Sequence, residues 1–581
     1  MLRAHPLSGR RYVLCINDTQ APPGLVYVLR SATIALGAAS AWRGRNNFNP
    51  DVLQYLDVAD TYLHRDWLHA ANLHWSPLYS WMLAAMLWIF HPSTRLELPL
   101  VHLCNFIIFL LALLAFEYLW SALDGLRKSN VRSGDFVLPQ WAWASFGYLL
   151  FLFTGLYLID IRLSTGDLLA SAMVYFACGA LTRIQIEQKS AATFVVLGGS
   201  LGLGYLAKAF LFPWSIVVFV VALIVAYRHS AVKKIVLSIL AFSIFAAPFI
   251  LLLSKHKGQF TFSEVGKYNY LVFVDGAPAV YWEGLPPGTG IPKHPPRQIW
   301  DKPPAFDIAS NHLGGTYPLW FDPGYWYDGM TPHFEWRAQV RTLLRSAKYI
   351  VRLFTFQTAG IVGVLTLILL GDGRRVGKAI VARWYLIGPS LAALAAYSLI
   401  LFDYRYVGPF ILVVCLSVIS CLYFRASFIS RHAVNRVCSA TLAACAINSA
   451  LLIVPYSGQT YSATDTQFAL ADELGRLGIP PGTRVGIVGS YKNAPNWRSV
   501  SYPYWARLDR LRVVAEVAPS SPGEFWNSDL ETQERVLKYV CRSTGAALLI
   551  TEDAPLAVGQ RWRKMGDTRF YVWRPDAATS N

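Results

Sequence analysis

The stretch Pro77-Leu-Tyr-Ser-Trp-Met-Leu-Ala-Ala-Met-Leu-Trp-Ile-Phe90 decides how this chain is threaded through a membrane. It is apolar over 14 residues, whereas a helix that crosses the hydrocarbon core needs about 20. A run of this length suits an interfacial or re-entrant helix better than a span. We therefore predict that 77–90 does not cross, and this prediction sets the direction of every later segment.

The composition around this stretch is that of a membrane protein. Of the 581 residues, 54% are hydrophobic and 15% are charged, and the mean hydropathy is +0.36. Soluble domains carry about 25% charged residues, so the values argue against a cytosolic enzyme, a disordered chain or a fibrous protein. The net charge of +17 is explained by basic cytoplasmic loops, and we expect no nucleic-acid partner.

Apolar segments on both sides of this stretch have the length of membrane spans. We count eleven of them, separated by short basic loops and by longer polar segments. They lie at 24–41, 98–122, 140–159, 164–182, 191–207, 210–227, 232–254, 351–370, 380–402, 406–424 and 434–454.

The positive charges orient these spans. With residues 1–23 in the cytoplasm and 77–90 not crossing, every short basic loop lies in the cytoplasm, as the positive-inside rule requires. If 77–90 crosses, every later loop is inverted and the rule fails. We predict a multi-pass protein of the inner (plasma) membrane, with outer loops at 42–97 and 255–350.

The C-terminal residues 455–581 predict a small extracytoplasmic α/β domain, because strand and helix patterns alternate there. The helices are expected over 465–477 and 530–540, and the strands at 484–489, 512–515, 546–550 and 569–573. The fold class is thus an α-helical polytopic membrane domain over 24–454, followed by this α/β domain.

A few ionisable residues lie at predicted helix ends on the outer side, where they are costly to place and are candidates for function. Carboxylates can deprotonate an acceptor or hold a divalent ion, and Lys or Arg can bind a phosphate. We interpret Asp57 and Asp60 as solvated helix faces. The full set is Asp51, Asp57, Asp60, Asp66, Asp160, Arg162, Asp167, Lys208, Asp403 and Arg405.

Two motifs in the first outer loop resemble elements of the GT-C-type glycosyltransferases, which include protein O-mannosyltransferases and lipid A aminoarabinose transferases. Asp51-Val-Leu-Gln-Tyr-Leu-Asp-Val-Ala59 resembles their D-x-x-x-Y-x-x-x-A element. Trp75-Ser-Pro-Leu-Tyr-Ser-Trp81 resembles their P-P-L-Y-x-W element, with Ser76 in place of one proline. Val52 stands where the family has a second acid, and this departure leaves the use of a metal ion open.

Three later segments resemble further elements of the same family in the same order. Ser164-Thr-Gly-Asp167 is similar to its second acidic element, and Gly202-Leu-Gly-Tyr-Leu-Ala-Lys208 to its G-x-x-x-L-x-K segment. Asp403-Tyr-Arg-Tyr-Val-Gly-Pro409 is similar to its late R-Y-x-x-P element. The resemblance extends over residues 24–424.

The resemblance implies a glycosyltransferase that moves a sugar from a polyprenyl-phosphate donor to an acceptor on the outer face, with inversion. It implies membrane lipid, the lipid-linked donor and a glycan, lipid or protein acceptor as partners, and a divalent metal ion stays open as a cofactor. Asp51 is then the general base. The full implied set is Asp51 and Asp167 as catalytic residues, and Lys208, Arg405, Tyr404, Tyr406, Tyr55 and Tyr79 as substrate-binding residues.

Other interpretations of the same residues remain open. Asp51 also suits a turn, and Asp167 complements the dipole of a helix that it begins. Lys208 can snorkel to the interface, and Arg405 between tyrosines fits an interfacial anchor. A transporter or lipid flippase would place charges near the midplane, whereas these helix centres are apolar. A non-catalytic scaffold for the C-terminal domain predicts that Asp51 and Arg405 can be replaced without consequence.

Overall fold

The computed structural model describes residues 24–49, 51–129, 131–132, 134–186, 190–276, 297–307, 331–458, 464–489, 503–517, 524–552 and 561–575. The predicted cytoplasmic segment 1–23 lies outside the described residues, as do 277–296 and 308–330 of the second predicted outer loop.

Most of the described chain is helical. The helices are α1 (Leu25–Arg43), α2 (Asp51–Leu63), α3 (Trp67–Ala70), α4 (Pro77–Phe90), α5 (Glu97–Ser129), α6 (Gln140–Phe153), α7 (Asp167–Gln185), α8 (Ala191–Ala207), α9 (Leu211–Arg228), α10 (Ile235–Lys257), α11 (Val265–Phe273), α12 (Trp336–Phe356), α13 (Thr358–Leu370), α14 (Gly373–Ala382), α15 (Trp384–Ile400), α16 (Tyr404–Ile419), α17 (Arg431–Gly458), α18 (Thr464–Arg476), α19 (Tyr504–Leu508), α20 (Glu524–Asn527) and α21 (Leu530–Thr544).

Each predicted span falls on one of these helices or on a bent pair of them, which makes this a multi-pass membrane protein. Among the described residues, seven helices are long and apolar enough to cross a membrane: α1, α5, α6, α7, α9, α10 and α17. Two further candidates are bent pairs, α12 with α13 at 76° and α14 with α15 at 71°. The remaining two, α8 and α16, are shorter apolar helices of 17 and 16 residues.

The helix α4 has the boundaries expected from the sequence. Its 14 residues give a length of about 21 Å, which is short of the roughly 30 Å hydrocarbon core. Tyr79 and Leu83 on one side are buried, whereas Trp88, Ile89 and Phe90 at its end are exposed. Length and exposure are thus compatible with a helix that does not span a bilayer.

The C-terminal helices and strands lie where the sequence predicts them. Their strands form a sheet that also includes two strands from an earlier part of the chain. The strands of the described residues are β1 (Asp135–Val137), β2 (Arg297–Trp300), β3 (Ala305–Asp307), β4 (Tyr423–Arg425), β5 (Arg484–Val488), β6 (Arg512–Val517), β7 (Leu548–Glu552), β8 (Arg563–Lys564) and β9 (Phe570–Trp573). The strand order in the C-terminal sheet is β2-β3-β6-β5-β7-β9-β8, with β5 parallel to β6 and β7. The strands β2 and β3 come from the second predicted outer loop, and β3 pairs antiparallel with β6.

A charged cluster around the buried Arg507 joins this C-terminal part to the helices. The Arg507 guanidinium lies 2.6 Å from a carboxylate oxygen of Asp57, 2.9 Å from one of Asp60 and 2.7 Å from one of Glu97. Arg510 adds contacts of 3.0 Å to Asp60 and 2.7 Å to Glu97. We call these five residues the docking cluster. The interpretation of Asp57 as a solvated residue is wrong, since its side chain is 2% exposed, and Asp60 is ion-paired.

Candidate active site

Four helix ends meet at one end of the helix bundle, and each brings one charged side chain. Asp51 begins α2 and Asp167 begins α7, while Lys208 follows α8 and Arg405 lies in the first turn of α16. An Arg405 Nη1 lies 3.5 Å from an Asp51 carboxylate oxygen and 3.7 Å from one of Asp167, and the Lys208 ammonium pairs with the other Asp167 oxygen. We call these four residues the site cluster. The structure thus brings together the four charged residues that the sequence analysis singled out.

Asp167 is held from three directions. The start of a helix favours a negative charge, the Thr165 hydroxyl donates to the carboxylate at 2.9 Å, and the Lys208 ammonium donates to its other oxygen. Gly166 lets this turn approach the end of α8, because a Cβ at Gly166 would lie 2.8 Å from the Ala207 carbonyl oxygen. The pairing of Asp167 with Lys208 therefore depends on the close approach that Gly166 permits.

The loop before Asp167 is fixed by buried amide side chains. Asn105 on α5 donates to the carbonyls of Ile161 and Leu163 at 3.0 and 3.1 Å, and Asn49 accepts from the Ser164 amide at 2.9 Å. The Tyr79 hydroxyl donates to Asn105 at 2.7 Å. The sequence analysis missed Asn105, although an amide inside a predicted span is itself a signal of a polar partner.

Two other ionisable candidates in this loop lie apart from the site cluster. Arg162 and Asp160 form a buried ion pair, with Nε 2.9 Å from Oδ1 and exposed fractions of 2% and 1%. Their charges are satisfied by each other, and Asp160 adopts a positive φ of 63°. They therefore stabilise the loop, and Asp167 is the acidic residue of this loop that belongs to the site cluster.

Arg405 is positioned by its own helix start. The Asp403 carboxylate caps α16 by accepting from the Arg405 amide at 3.1 Å, and it lies 3.5 Å from the Arg405 Nε. An Arg405 Nη2 donates to the Tyr406 hydroxyl at 3.0 Å. Its distances to Asp51 and Asp167 exceed the roughly 2.7–2.9 Å of a charge-assisted hydrogen bond. The guanidinium is thus attracted to both carboxylates without being locked to either.

The aromatic candidates divide between the site cluster and its surroundings. The Lys208 ammonium lies 3.4 Å from the centre of the Tyr406 ring, a cation–π contact. Tyr55 packs edge-on against Trp75 and Tyr79 with ring centres 4.8 Å apart. Tyr79 itself has no exposed surface, so its observed contact is with Asn105 and not with open space.

Tyr404 lies on another face of α16. Its hydroxyl donates to the Tyr349 carbonyl at 3.0 Å, and the two rings pack edge-on. The structure therefore places Tyr404 against α12, next to the site but not among the four charged side chains.

The electrostatics of Asp51 favour a base. Burial raises the pKa of its carboxyl above the ordinary value for an aspartate, the Arg405 guanidinium lowers it in part, and the Asp167 carboxylate raises it again. Burial and the Asp51 and Asp167 carboxylates raise the pKa of Tyr55 well above its ordinary value, so its hydroxyl stays protonated. Asp51 is still about a quarter exposed, at 24%, and can meet a ligand.

The donor set of the site cluster does not suit a divalent metal ion. Within the described part of the chain, no group of three or more His, Cys, Asp or Glu side chains is placed to hold one. The two carboxylates face Lys208 and Arg405, which supply positive charge where an ion would sit. The charged groups available for chemistry at this point are two carboxylates and two cations.

No protein-family model and no curated protein matches this sequence. Among solved structures, ArnT from Cupriavidus metallidurans bound to undecaprenyl phosphate is similar, with a TM-score of 0.54 and 11% identity over 96% of this chain and 99% of that chain. The apo state of ArnT gives a TM-score of 0.52 at 12% identity, over 95% of this chain and 98% of that chain.

An oligosaccharyltransferase from Archaeoglobus fulgidus, in a complex with zinc and sulfate, gives a TM-score of 0.46 at 14% identity over 90% of this chain and 68% of that chain. ArnT is the lipid A aminoarabinose transferase, a protein of GT-C type. The likeness to ArnT extends over nearly the whole of both chains. This chain therefore has the fold of the GT-C glycosyltransferases.

Proposed function

We propose that this protein is a membrane glycosyltransferase that moves a sugar from a polyprenyl-phosphate donor to an acceptor on the outer face of the inner membrane. One observation carries the proposal: four charged side chains from four helix ends converge at a partly exposed point of a GT-C fold. The ArnT structure that binds undecaprenyl phosphate supports a polyprenyl phosphate as the lipid.

Lys208 and Arg405 bind the donor phosphate in this proposal. Both side chains are about a quarter exposed, at 24% and 23%, and both are cations at the same end of the bundle. A guanidinium and an ammonium can contact different oxygens of one phosphate. Asp167 holds the two cations in place when no ligand is bound, since it pairs with both.

Asp51 acts as the general base in a single in-line displacement. It accepts the proton of the acceptor nucleophile while the nucleophile forms a bond to the anomeric carbon of the sugar. The bond from that carbon to the phosphate oxygen breaks, and its electron pair leaves with the polyprenyl phosphate. Lys208 and Arg405 stabilise the charge that develops there, and one displacement inverts the anomeric centre.

The test is Asp51→Asn in purified, reconstituted full-length protein, with release of polyprenyl phosphate from candidate lipid-linked sugars as the readout. The change preserves shape and removes the base, so we expect turnover to fall by about 10²–10⁴-fold with donor binding retained. Asp66→Asn is the matched control, because Asp66 lies in the same loop and caps α3 with a side chain that is 40% exposed, and Asn caps a helix equally well.

Transfer at the normal rate by the Asp51→Asn protein would refute the catalytic assignment and favour the scaffold hypothesis. Movement of a lipid across the bilayer without bond cleavage would favour a flippase.

The outer-face assignment has its own test. His64→Cys and Arg535→Cys place thiols at exposed positions of the first outer loop and the C-terminal domain. Both should react with a membrane-impermeant thiol reagent in intact spheroplasts. Arg374→Cys, in a proposed cytoplasmic loop, should react only after the membrane is broken. The opposite pattern would invert the topology.

A further inference from the structure

The helix α12 has a dense one-sided charge that the site cluster does not use. It contains five basic residues and no acidic residue. At about 100° of rotation per residue, all five fall within an arc of about 80°. All five are exposed, and no carboxylate among the described residues pairs with them. We call them the basic strip: Arg337, Arg341, Arg345, Lys348 and Arg352.

A second face of α12 attaches the helix to the bundle. Ala338, Thr342 and Ser346 are buried there, and these small side chains permit a close approach to α15. The Ser346 hydroxyl donates to the Ser398 carbonyl at 2.9 Å, and the Gln339 amide donates to the Leu399 carbonyl at 2.7 Å. The orientation of the basic strip is therefore fixed by contacts on the neighbouring face.

The third face of α12 is apolar and exposed. Trp336, Leu344 and Val351 are 62%, 66% and 62% exposed, with Val340, Leu343 and Phe354 beside them. In water this face would be costly. A helix with one apolar face and one Lys/Arg-rich face typically lies in a membrane interface, with its cations at the level of the lipid phosphates.

The bend after α12 gives the helix the orientation that such a position needs. The apolar helix α13 continues the chain at 76° to α12. If α13 enters the bilayer, α12 runs close to the membrane plane. The proposed topology also puts the basic strip on the outer side, where the positive-inside rule disfavours it; a bound anion would account for its presence there.

The helix is also tied to the site cluster. Tyr404, next to Arg405, donates its hydroxyl to the Tyr349 carbonyl of α12 at 3.0 Å. The carbonyls that bind Ser346 and Gln339 end α15 only a few residues before Asp403. The position of α12 in the membrane thus bears on the depth of Arg405.

We propose that the basic strip binds the headgroups of anionic phospholipids in the leaflet that borders the site cluster, and so holds α12 in the interface. The occupant is the bilayer's own anionic lipid, because five cations that pair with no carboxylate of the described residues lie beside an exposed apolar face that suits acyl chains. The proposal concerns lipid contact and does not require that the protein transfers a sugar.

The test measures which lipid surrounds α12 in full-length protein in bilayers. Ala347→Cys, on the exposed apolar side, carries a fluorophore, and labelling of the unsubstituted protein gives the background of native cysteines. Quenching is compared between brominated phosphatidylglycerol and brominated phosphatidylcholine at equal mole fraction. We expect stronger quenching by phosphatidylglycerol, with the preference falling as salt rises.

The variant Arg341→Gln, Arg345→Gln, Lys348→Gln should lose this preference, by about fivefold for each cation removed at low salt. The control Arg535→Gln, Arg542→Gln, Lys564→Gln removes the same charge from exposed positions of the C-terminal domain and should leave the preference unchanged. Equal quenching by the two lipids in the parent protein, no quenching by either, or an equal loss in the control would each overturn the proposal.

Discussion

The helix α2 contributes to two charged clusters that have opposite characters. In the docking cluster, Arg507 is 1% exposed and contacts Asp57 and Glu97 at 2.6 and 2.7 Å. In the site cluster, Arg405 is 23% exposed and lies 3.5 Å from Asp51 and 3.7 Å from Asp167. Arg507 is thus saturated with close carboxylates and closed to water, whereas Arg405 is partly open and loosely paired.

The difference teaches that pairing geometry, more than residue type, separates structural charges from ligand-binding ones. A buried arginine with three close carboxylates has no remaining capacity for a ligand, and its loss leaves buried charges unpaired. A guanidinium that lies 3.5 and 3.7 Å from two carboxylates can turn toward a phosphate at little cost. Asp51 and Asp57 lie six residues apart on one helix, yet they belong to opposite classes.

The largest expected effect concerns the docking cluster. Arg507→Ala leaves the buried carboxylates of Asp57 and Glu97 without their main counter-charge, which should cost about 3–5 kcal/mol. We expect a lower thermal unfolding temperature in detergent and release of the C-terminal part by limited proteolysis. Arg510→Ala is the control and should cost less, because Arg510 is 43% exposed. An equal loss of thermal stability in both variants would contradict the larger role assigned to Arg507.

The next largest effect concerns the site cluster. Lys208→Met and Arg405→Gln each remove a proposed phosphate contact, and hydrogen bonds to charged groups contribute about 1.5–3 kcal/mol. The dissociation constant for the polyprenyl phosphate should therefore rise by about 10–100-fold, measured by binding to purified protein. Thermal stability should fall far less than in Arg507→Ala. Unchanged affinity in both variants would remove these residues from the donor site.

A smaller effect should follow from moving the site cluster without changing its charges. In Gly166→Ala the new Cβ meets the Ala207 carbonyl oxygen at 2.8 Å, so the turn that carries Asp167 must move away from Lys208. We expect turnover to fall by about 10-fold, since small displacements of reacting groups are costly. Gly125→Ala is the matched control, with nothing within 4 Å of its Cβ. Equal activity in the two variants would show that the close approach is not needed.

The smallest effect concerns pH. Asp51 must be deprotonated to act as a base, so activity should fall as pH drops through its pKa, which burial raises above the usual aspartate value. The Arg405 guanidinium lowers this pKa and the Asp167 carboxylate raises it. The acid limb of the pH–rate profile should move to higher pH in Arg405→Gln and to lower pH in Asp167→Asn. Shifts of the same sign would contradict this arrangement.

The sequence predicts the helices and the four site residues because both leave local signals. Apolar segments of the right length mark the spans, and each charged site residue stands at a helix end. The docking cluster leaves no such signal, because Arg507 and Asp57 are 450 residues apart. The bend falls at the polar residue Gln357, in a segment without a proline, so the sequence predicts a single span over 351–370 where the chain turns by 76°.

The support of Asp167 shows the same limit at a finer scale. Tyr79 is in a recognisable motif, but nothing local reveals that its hydroxyl contacts Asn105 on another helix. Asn105 in turn holds the backbone of the loop before Asp167. Motif position thus locates these residues near the site, whereas their contacts depend on how α4, α5 and that loop pack.

The pairing of β3 with β6 has a consequence for the order in which the protein is made. β3 is complete at Asp307, but its partner β6 begins only at Arg512, after the helices α12 to α17 have been synthesised and inserted. Until then the β2–β3 hairpin has no sheet to join, and without the hairpin β6 would be an open edge strand that invites pairing with other chains. The sheet can therefore be completed only after the intervening membrane helices have been inserted so that the segments containing β3 and β6 lie on the same side of the membrane.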